Sequence, residues 1–364
     1  IAPASPFLLP NGAQVMNSLI DYVKELYIKY GYQEVMTPQI FNTDLWKKSG
    51  HLDAYADNMY FVDVDEREFG VKPMNCPAAA MLYQADSHSY RELPWRLADF
   101  GRLHRNERSG VTHGLTRVRS FVQDDAHIFC TLDQIGSEIN SFLEMLNEAY
   151  STLGFESYRL ELSLRPEKRV GTDEMWDKAE ASLTEILDAS GVEYTAESGE
   201  GAFYGPKIDI FVPDAIGRDW QLGTVQLDFS LPERFDLEYA AEDGTRQRPV
   251  VIHRAMYGSL ERFLGVLIEH LSGAFPMWMT PVQAVVVPIA DRHIDFCNEV
   301  GDKLKAAGIR AHVDNSNDRM NAKIRQAQLQ KVPYMLVAGD QEIEAGTVAV
   351  RTRSGENLDP MTVD

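Results

Sequence analysis

The chain has 364 residues, 44% apolar and 25% charged, enough for two or three domains of ~100–200 residues with real cores. That composition excludes collagen-like, low-complexity and intrinsically disordered chains. Fifty-five acidic against 35 basic residues leave a net charge of −20, which argues against bulk attraction to nucleic acid but not against a grip through local basic patches.

No apolar run approaches the ~18–20 residues of a membrane span, and no signal peptide is visible behind Ile1. A start without Met and a polar final run at 359–364 lead us to expect a piece of something longer. Val15, Leu19, Val23, Leu26 and Tyr27 recur at helical spacing, with Gly31 at the stop. Residues 32–38 read as extended, and Pro38, which lacks an N–H, ends that stretch at a sheet edge or an interface. Strands are predicted at 59–64, 96–103 and 117–130. Helices follow through Ile135, Ile139, Phe142, Leu143 and Leu146, then through Trp176, Ala179, Leu183, Ile186 and Leu187. Strands at 207–212 and 218–229 flank a turn at Gly217 and Arg218, and a strand at 249–255 precedes the clearest helix. There Leu260, Phe263, Leu264, Leu267, Ile268 and Leu271 predict one buried face.

Up to about Thr280 the pattern is α+β, antiparallel strands mixed with helices. Pro281 marks the expected boundary, giving domains at 1–280 and 281–364. Beyond it, strands at 283–289, 310–313, 334–338 and 347–351 alternate with helices at 293–306 and 319–329, which predicts a small α/β domain with a largely parallel sheet. Residues 282–364 carry 10 basic and 12 acidic side chains, so a polyanion meets the least repulsion there. The cysteines Cys76, Cys130 and Cys297 are odd in number and widely spaced, which argues against a disulfide framework and for a reducing cytoplasm.

Three constellations could carry chemistry. Along 117–127, strand parity puts Arg117, Arg119, Phe121, Gln123, Asp125 and His127 on one face. Two arginines, an aromatic, an amide, a carboxylate and an imidazole in a row are unlike a core; a solvated sheet face is the bland alternative. Cys76, between Asn75 and Pro77, reads on local sequence as a small buried hydrophobe. His253 ends a strand, and Arg262 stands in the first turns of the apolar helix, where a cation opposes the dipole. Either an anion or π-face meets that arginine, or it snorkels at the surface. Cys76, His127 and His253 could hold Zn²⁺ with one position open, but no spacing rule links them.

Met74-Asn75-Cys76-Pro77, His104-Arg105-Asn106-Glu107, Gln123-Asp124-Asp125-Ala126-His127 and His253-Arg254-Ala255 with Gly258-Ser259-Leu260-Glu261-Arg262 resemble threonyl-tRNA synthetases, in order and interval. The likeness covers nearly the whole chain. It implies a catalytic domain with a mostly antiparallel six- to seven-stranded sheet flanked by helices (the class II synthetase fold), then a small α/β anticodon-binding domain, in a cytoplasmic homodimer whose interface includes the stretch around Pro38. It implies an enzyme that joins threonine to ATP, giving threonyl-adenylate, and passes threonine to the terminal adenosine of threonine tRNA. By the same resemblance Arg105, Glu107, Arg117, Phe121 and Arg262 bind ATP with its Mg²⁺, Phe121 and Arg262 sandwiching the adenine. One Zn²⁺ per chain sits on Cys76, His127 and His253 and takes the substrate's amino and hydroxyl groups, which valine cannot match. Asp125 accepts the hydroxyl proton, with Met74, Gln123, Tyr204 and Gln226 around it. His51 assists transfer, an exposed loop histidine being the alternative. Asn317, Arg325, Glu342 and Arg351 contact the anticodon.

Measured against that family, the sequence is expected to lack the N-terminal editing region, and Ala78-Ala79-Ala80 stands where many relatives have Gly-His after the Cys-Pro pair. That helix start should survive, alanine being a good helix former. Two other readings stand beside the first: a class II synthetase for another amino acid such as serine or proline, or a non-catalytic synthetase-like RNA-binding protein.

Overall fold

Ser120–Cys130 and Val250–Ser259 are rich in branched and aromatic residues and buried along nearly their whole length. Such strands belong in the middle of a sheet covered on both faces. They pair antiparallel at the centre of a nine-stranded sheet in the computed structural model, which describes residues 2–363. Outward on one side lie Trp95–Asp99 and then Gln33–Glu34; on the other lie Asp219–Asp228, Lys207–Pro213, Arg159–Ser163 and Tyr194–Glu197. Arg102–His104 pairs with the start of Ser120–Cys130. The sheet is larger than the six or seven strands expected, because two edge pairs are added in parallel, Gln33–Glu34 on Trp95–Asp99 and Tyr194–Glu197 on Arg159–Ser163. The other pairs are antiparallel. The 32–38 stretch does end at a sheet edge.

The predicted strand at 96–103 is two strands, because its pairing with Ser120–Cys130 lapses at Phe100 and Gly101 and resumes in the same register at Arg102. A Cβ on Gly101 would fall 2.3 Å from Asn75 Oδ1 and 2.6 Å from Lys72 Nζ. The strand expected from 117 begins at Ser120. Val250–Ser259 bulges before Ser259, where Gly258 takes φ +67° and packs its Cα against the carbonyl of Leu222. Within the bulge, the N–H groups of Met256 and Tyr257 donate to the carboxylate of Asp124 at 2.8 and 3.0 Å.

The predicted helices form as Pro10–Lys29, Ile135–Thr152, Asp173–Ser190 and Leu260–His270. Thr172 caps the third by accepting from Met175 N–H, and left-handed Gly191 stops it. Leu260, Phe263, Leu264 and Leu267 are buried as expected. Ile268 is 39% exposed and Leu271 lies past the helix end, so the apolar stripe is one turn shorter than its sequence.

The described residues divide into two units, one of residues 2–6 and 20–267, the other of 7–19 and 268–363. The second unit holds a five-stranded sheet in the order Ala311–Val313, Ala284–Pro288, Tyr334–Ala338, Thr347–Thr352, Met361–Thr362. The first three strands are parallel, as expected for strand–helix–strand repeats, with helices Ile294–Ala306 and Met320–Leu329 between them. The last two are antiparallel, which corrects the largely parallel expectation. The short helix Asp340–Ala345 and left-handed Gly346 turn the chain back instead of carrying it across. Among the described residues no helix is long and apolar enough to cross a membrane.

Candidate active site

The register of three central strands builds one wall of a cleft. His127 pairs with His253, and His253 with Gln226 on its other side. Asp125 lies two residues from His127, between Asp99 and Ala255. Alternation therefore turns Phe121, Gln123 and Asp125 into the cleft, as the sequence suggests. Arg119 breaks the row. It precedes the strand, gives its Nε–H to the Glu107 carbonyl at 2.8 Å, and borders a separate hollow with Ala2 and Ser5.

One end of the cleft, about 380 Å³, is lined by Arg105, Glu107, Arg117, Phe121 and Arg262 among others. The other end, about 280 Å³, is lined by Met74, Cys76, Asp125, Tyr204 and His253. Arg105, Gln123, Thr224 and Gln226 border both, so the two halves are continuous.

At the smaller end, one ligand atom each from Cys76, His127 and His253 lies within 4.8 Å of the others, and all three residues are buried. Cys76 opens helix Cys76–Gln84, whose Ala78, Ala79 and Ala80 are buried, so the helix start survives the departure from Gly-His. Nε2 of His253 meets Asp228 Oδ2 at 2.9 Å. Among the described residues, Nδ1 of His253 and Nε2 of His127 are buried with no hydrogen-bond partner. Burial pushes the Cys76 thiol up, but the two imidazoles outweigh it and hold the thiol near 7. Burial pulls His253 down, and Cys76 with Asp228 more than reverses it. One thiol and two orphaned imidazole nitrogens, one backed by a carboxylate, fit a tetrahedral zinc with an open fourth position.

Tyr204 OH donates a short bond to Gln226 Oε1, and its ring lies 4.9 Å from that of His253. Met74 meets His51 Nε2 through its sulfur at 3.3 Å. His51 is 2% exposed at the start of helix His51–Tyr55, which corrects the exposed-loop alternative. Burial first, then the charges of His253, Arg105 and Arg234, hold it down at about 3. It borders neither half of the cleft.

At the larger end three guanidinium groups face one carboxylate. Arg117 bridges to Glu107 at 3.0 Å, and Arg105 lies over the Phe121 ring at 5.1 Å while giving its Nε–H to the Pro73 carbonyl. Arg262 is pinned by the carbonyls of Thr116 and Gln221, at 2.7 and 3.0 Å. It therefore does not snorkel; burial and the nearby Arg117 and Arg105 lower its pKa. A cationic pocket in a chain of charge −20 is suited to a polyphosphate.

The second unit places its four expected residues differently. Asn317 and Arg325 are exposed, in a turn and on helix Met320–Leu329. Glu342 accepts from Gly339 N–H at 2.9 Å, capping helix Asp340–Ala345. Arg351, on Thr347–Thr352, keeps a buried Nε with no hydrogen-bond partner among the described residues.

Sequence reasoning missed Asp228 and Asn75. Asp228 also accepts from the N–H groups of Ser230 and Leu231; an aspartate before Phe-Ser-Leu-Pro signals a helix start, not a histidine partner.

Residues 60–271 match the family model described as the tRNA synthetase class II core domain (G, H, P, S and T), and residues 283–364 the one described as an anticodon binding domain. A crystal structure titled as the RNA binding domain of threonyl-tRNA synthetase from Cryptosporidium parvum Iowa II superposes with TM-score 0.96 at 46% identity, covering all of this chain and 92% of that one. The chain belongs to the threonyl-tRNA synthetase family. A putative threonyl-tRNA synthetase from Aeropyrum pernix superposes with TM-score 0.85 at 32% identity, over 99% of this chain and 84% of that one. The threonine--tRNA ligase of Bdellovibrio bacteriovorus is 52% identical over the whole chain. The chain spans about 56% of the length of that synthetase.

Proposed function

We propose that this chain activates L-threonine with ATP and transfers it to the 3′-terminal adenosine of threonine tRNA. The observation that carries the reading is the joining, in one cleft, of an arginine-lined end to an end closed by Cys76, His127 and His253. Membership of the family supports it.

ATP, brought with Mg²⁺, takes the cationic end, its phosphates facing Arg105 and Arg117 and its base between Phe121 and Arg262, with Glu107 on the adenine side. Arg105 borders both halves, where the threonine carboxylate would meet the α-phosphorus. The carboxylate oxygen forms its bond to phosphorus as the bond to pyrophosphate breaks, and the arginines hold the charge that gathers on the oxygens. Cys76, His127 and His253 would hold Zn²⁺, which when bound supplies a Lewis acid for the substrate's amino and hydroxyl groups and so refuses valine. Asp125 accepts the hydroxyl proton, and Met74, Gln123, Tyr204 and Gln226 shape the space around the side chain. In the transfer step the ribose hydroxyl attacks the carbonyl carbon and AMP leaves. His51, kept neutral by burial, is the group we assign to ease the proton off that hydroxyl, one layer behind Met74.

We further place the catalytic domain at 1–280 and the anticodon-binding domain at 281–364, where Asn317, Arg325, Glu342 and Arg351 would read unstacked bases. A cytoplasmic homodimer completes the proposal; the exposed Met36 beside the edge strand Gln33–Glu34 supports an interface there. The test is exchange of pyrophosphate into ATP by the zinc-loaded chain. Exchange should depend on threonine and be absent with valine; none with threonine would overturn the proposal.

A further inference from the structure

Asp99 and Asp125 are buried carboxylates directly opposite each other on neighbouring antiparallel strands. Like charges in that position repel, so something must hold them. Two buried side chains from the segment before helix Cys76–Gln84 do so. Lys72, fully buried, places Nζ 3.5 Å from Asp99 Oδ2 and donates to Thr37 Oγ1 at 2.8 Å; Thr37 in turn donates to Asp99 Oδ2 at 2.6 Å. Asn75, 1% exposed, gives its amide to Asp125 Oδ2 at 2.9 Å and to the Asp99 carbonyl at 3.4 Å. The backbone of Lys72 is clamped as well, donating to the Gln39 carbonyl and accepting from His104 N–H.

Asn75 is out of its usual role. It occupies the N-cap of helix Cys76–Gln84, where asparagine normally accepts from the first turn, yet its side chain makes no capping bond. Its Oδ1 is instead buried with no hydrogen-bond partner among the described residues. The chain has given up a cap and left an acceptor bare to aim an N–H donor at Asp125. Gly101 keeps the space open, since a Cβ there would collide with both Asn75 and Lys72.

We propose that Asn75, with Lys72 balancing the charge behind it, is a positioning residue that sets substrate selectivity. It ties one oxygen of Asp125 and leaves the other for the alcohol of the amino acid. The inference rests on the reading of Asp125 as acceptor of that alcohol.

The test compares Asn75→Ala, Asp125→Ala and the double variant in pyrophosphate exchange, measuring KM for threonine and for ATP separately. A lost hydrogen bond to a charged group predicts a threonine KM about tenfold or more higher in Asn75→Ala. The KM for ATP should stay close to that of the parent chain, which a general loosening of the fold would not allow. In the double variant, Asn75→Ala should add nothing to Asp125→Ala, because its effect runs through that carboxylate. An Asn75→Ala variant with unchanged threonine KM, with threonine and ATP raised alike, or with additive effects overturns the positioning role. If Asp125→Ala itself leaves the threonine KM unchanged, the reading of Asp125 fails first, and the two failures are thereby told apart. Should Asn75→Ala not fold, Asn75→Ser makes the same comparison.

Discussion

His127 and His253 stand directly opposite each other on adjacent antiparallel strands, with ring centroids 4.8 Å apart and planes at 76°. Residues 126 positions apart in sequence are thus brought within reach of one ion, and the helix start at Cys76 closes the triangle.

The metal comes first. Purified chain should carry about one zinc, and Cys76→Ser or His253→Ala should lose it together with threonine activation, as read by metal analysis and pyrophosphate exchange. Asp228 orients the His253 ring, so Asp228→Asn should weaken zinc affinity by about 10–100-fold in a chelator competition while the fold persists.

Arg105 borders both halves of the cleft, gives its Nε–H to a backbone carbonyl and lies over two aromatic faces. Arg105→Ala should lower adenylate formation by about 10²–10³-fold, the cost of removing one charge-stabilising donor, with an unchanged circular dichroism spectrum. Near-normal exchange in that variant would count against the site assignment.

His51 gives a pH dependence with a definite sign. Burial, reinforced by nearby positive charge, holds its folded pKa at about 3, below the ordinary 6.5. Between those values the unfolded chain binds a proton that the folded chain refuses. The stability this group permits is full above 6.5 and is lost as the pH falls through the window. His51→Gln should therefore lose less Tm than the parent chain between about pH 7 and about pH 5.

Gly258 sits at φ +67° with its Cα against the Leu222 carbonyl, where a Cβ would come within 2.1 Å of the oxygen. Gly258→Ala should cost about 2–3 kcal/mol by denaturant unfolding, from backbone strain and the clash together.

In the second unit, Arg351, one of the residues proposed to read the anticodon, carries a buried Nε with no hydrogen-bond partner among the described residues. Arg351→Ala should raise the KM for tRNA by about tenfold, one charged hydrogen bond's worth, and leave threonine-dependent exchange unchanged.

Local patterns were legible where one physical signal dominated. The helix Leu260–His270 and the strands Lys207–Pro213 and Tyr334–Ala338 lie within about a residue of their expected bounds. The break at Gly101 was not legible, because its cause is the approach of Asn75 and Lys72 from another segment. Nor were the parallel edge strands: Gln33–Glu34 and Tyr194–Glu197 are short and partly exposed, so no apolar alternation marks them. His51 reads as a loop residue, yet Trp46 and Phe203 close over its ring.

The sequence by itself determined the α+β to α/β succession, the motif residues and their order, because periodicity and side-chain chemistry act over a few neighbours. Only the tertiary structure decided that Cys76, His127 and His253 meet, that Asp228 stands behind His253 and Asn75 behind Asp125, and that Asp99 faces Asp125. Those relations depend on strand register, which is set by packing between segments far apart in the chain and by no local pattern.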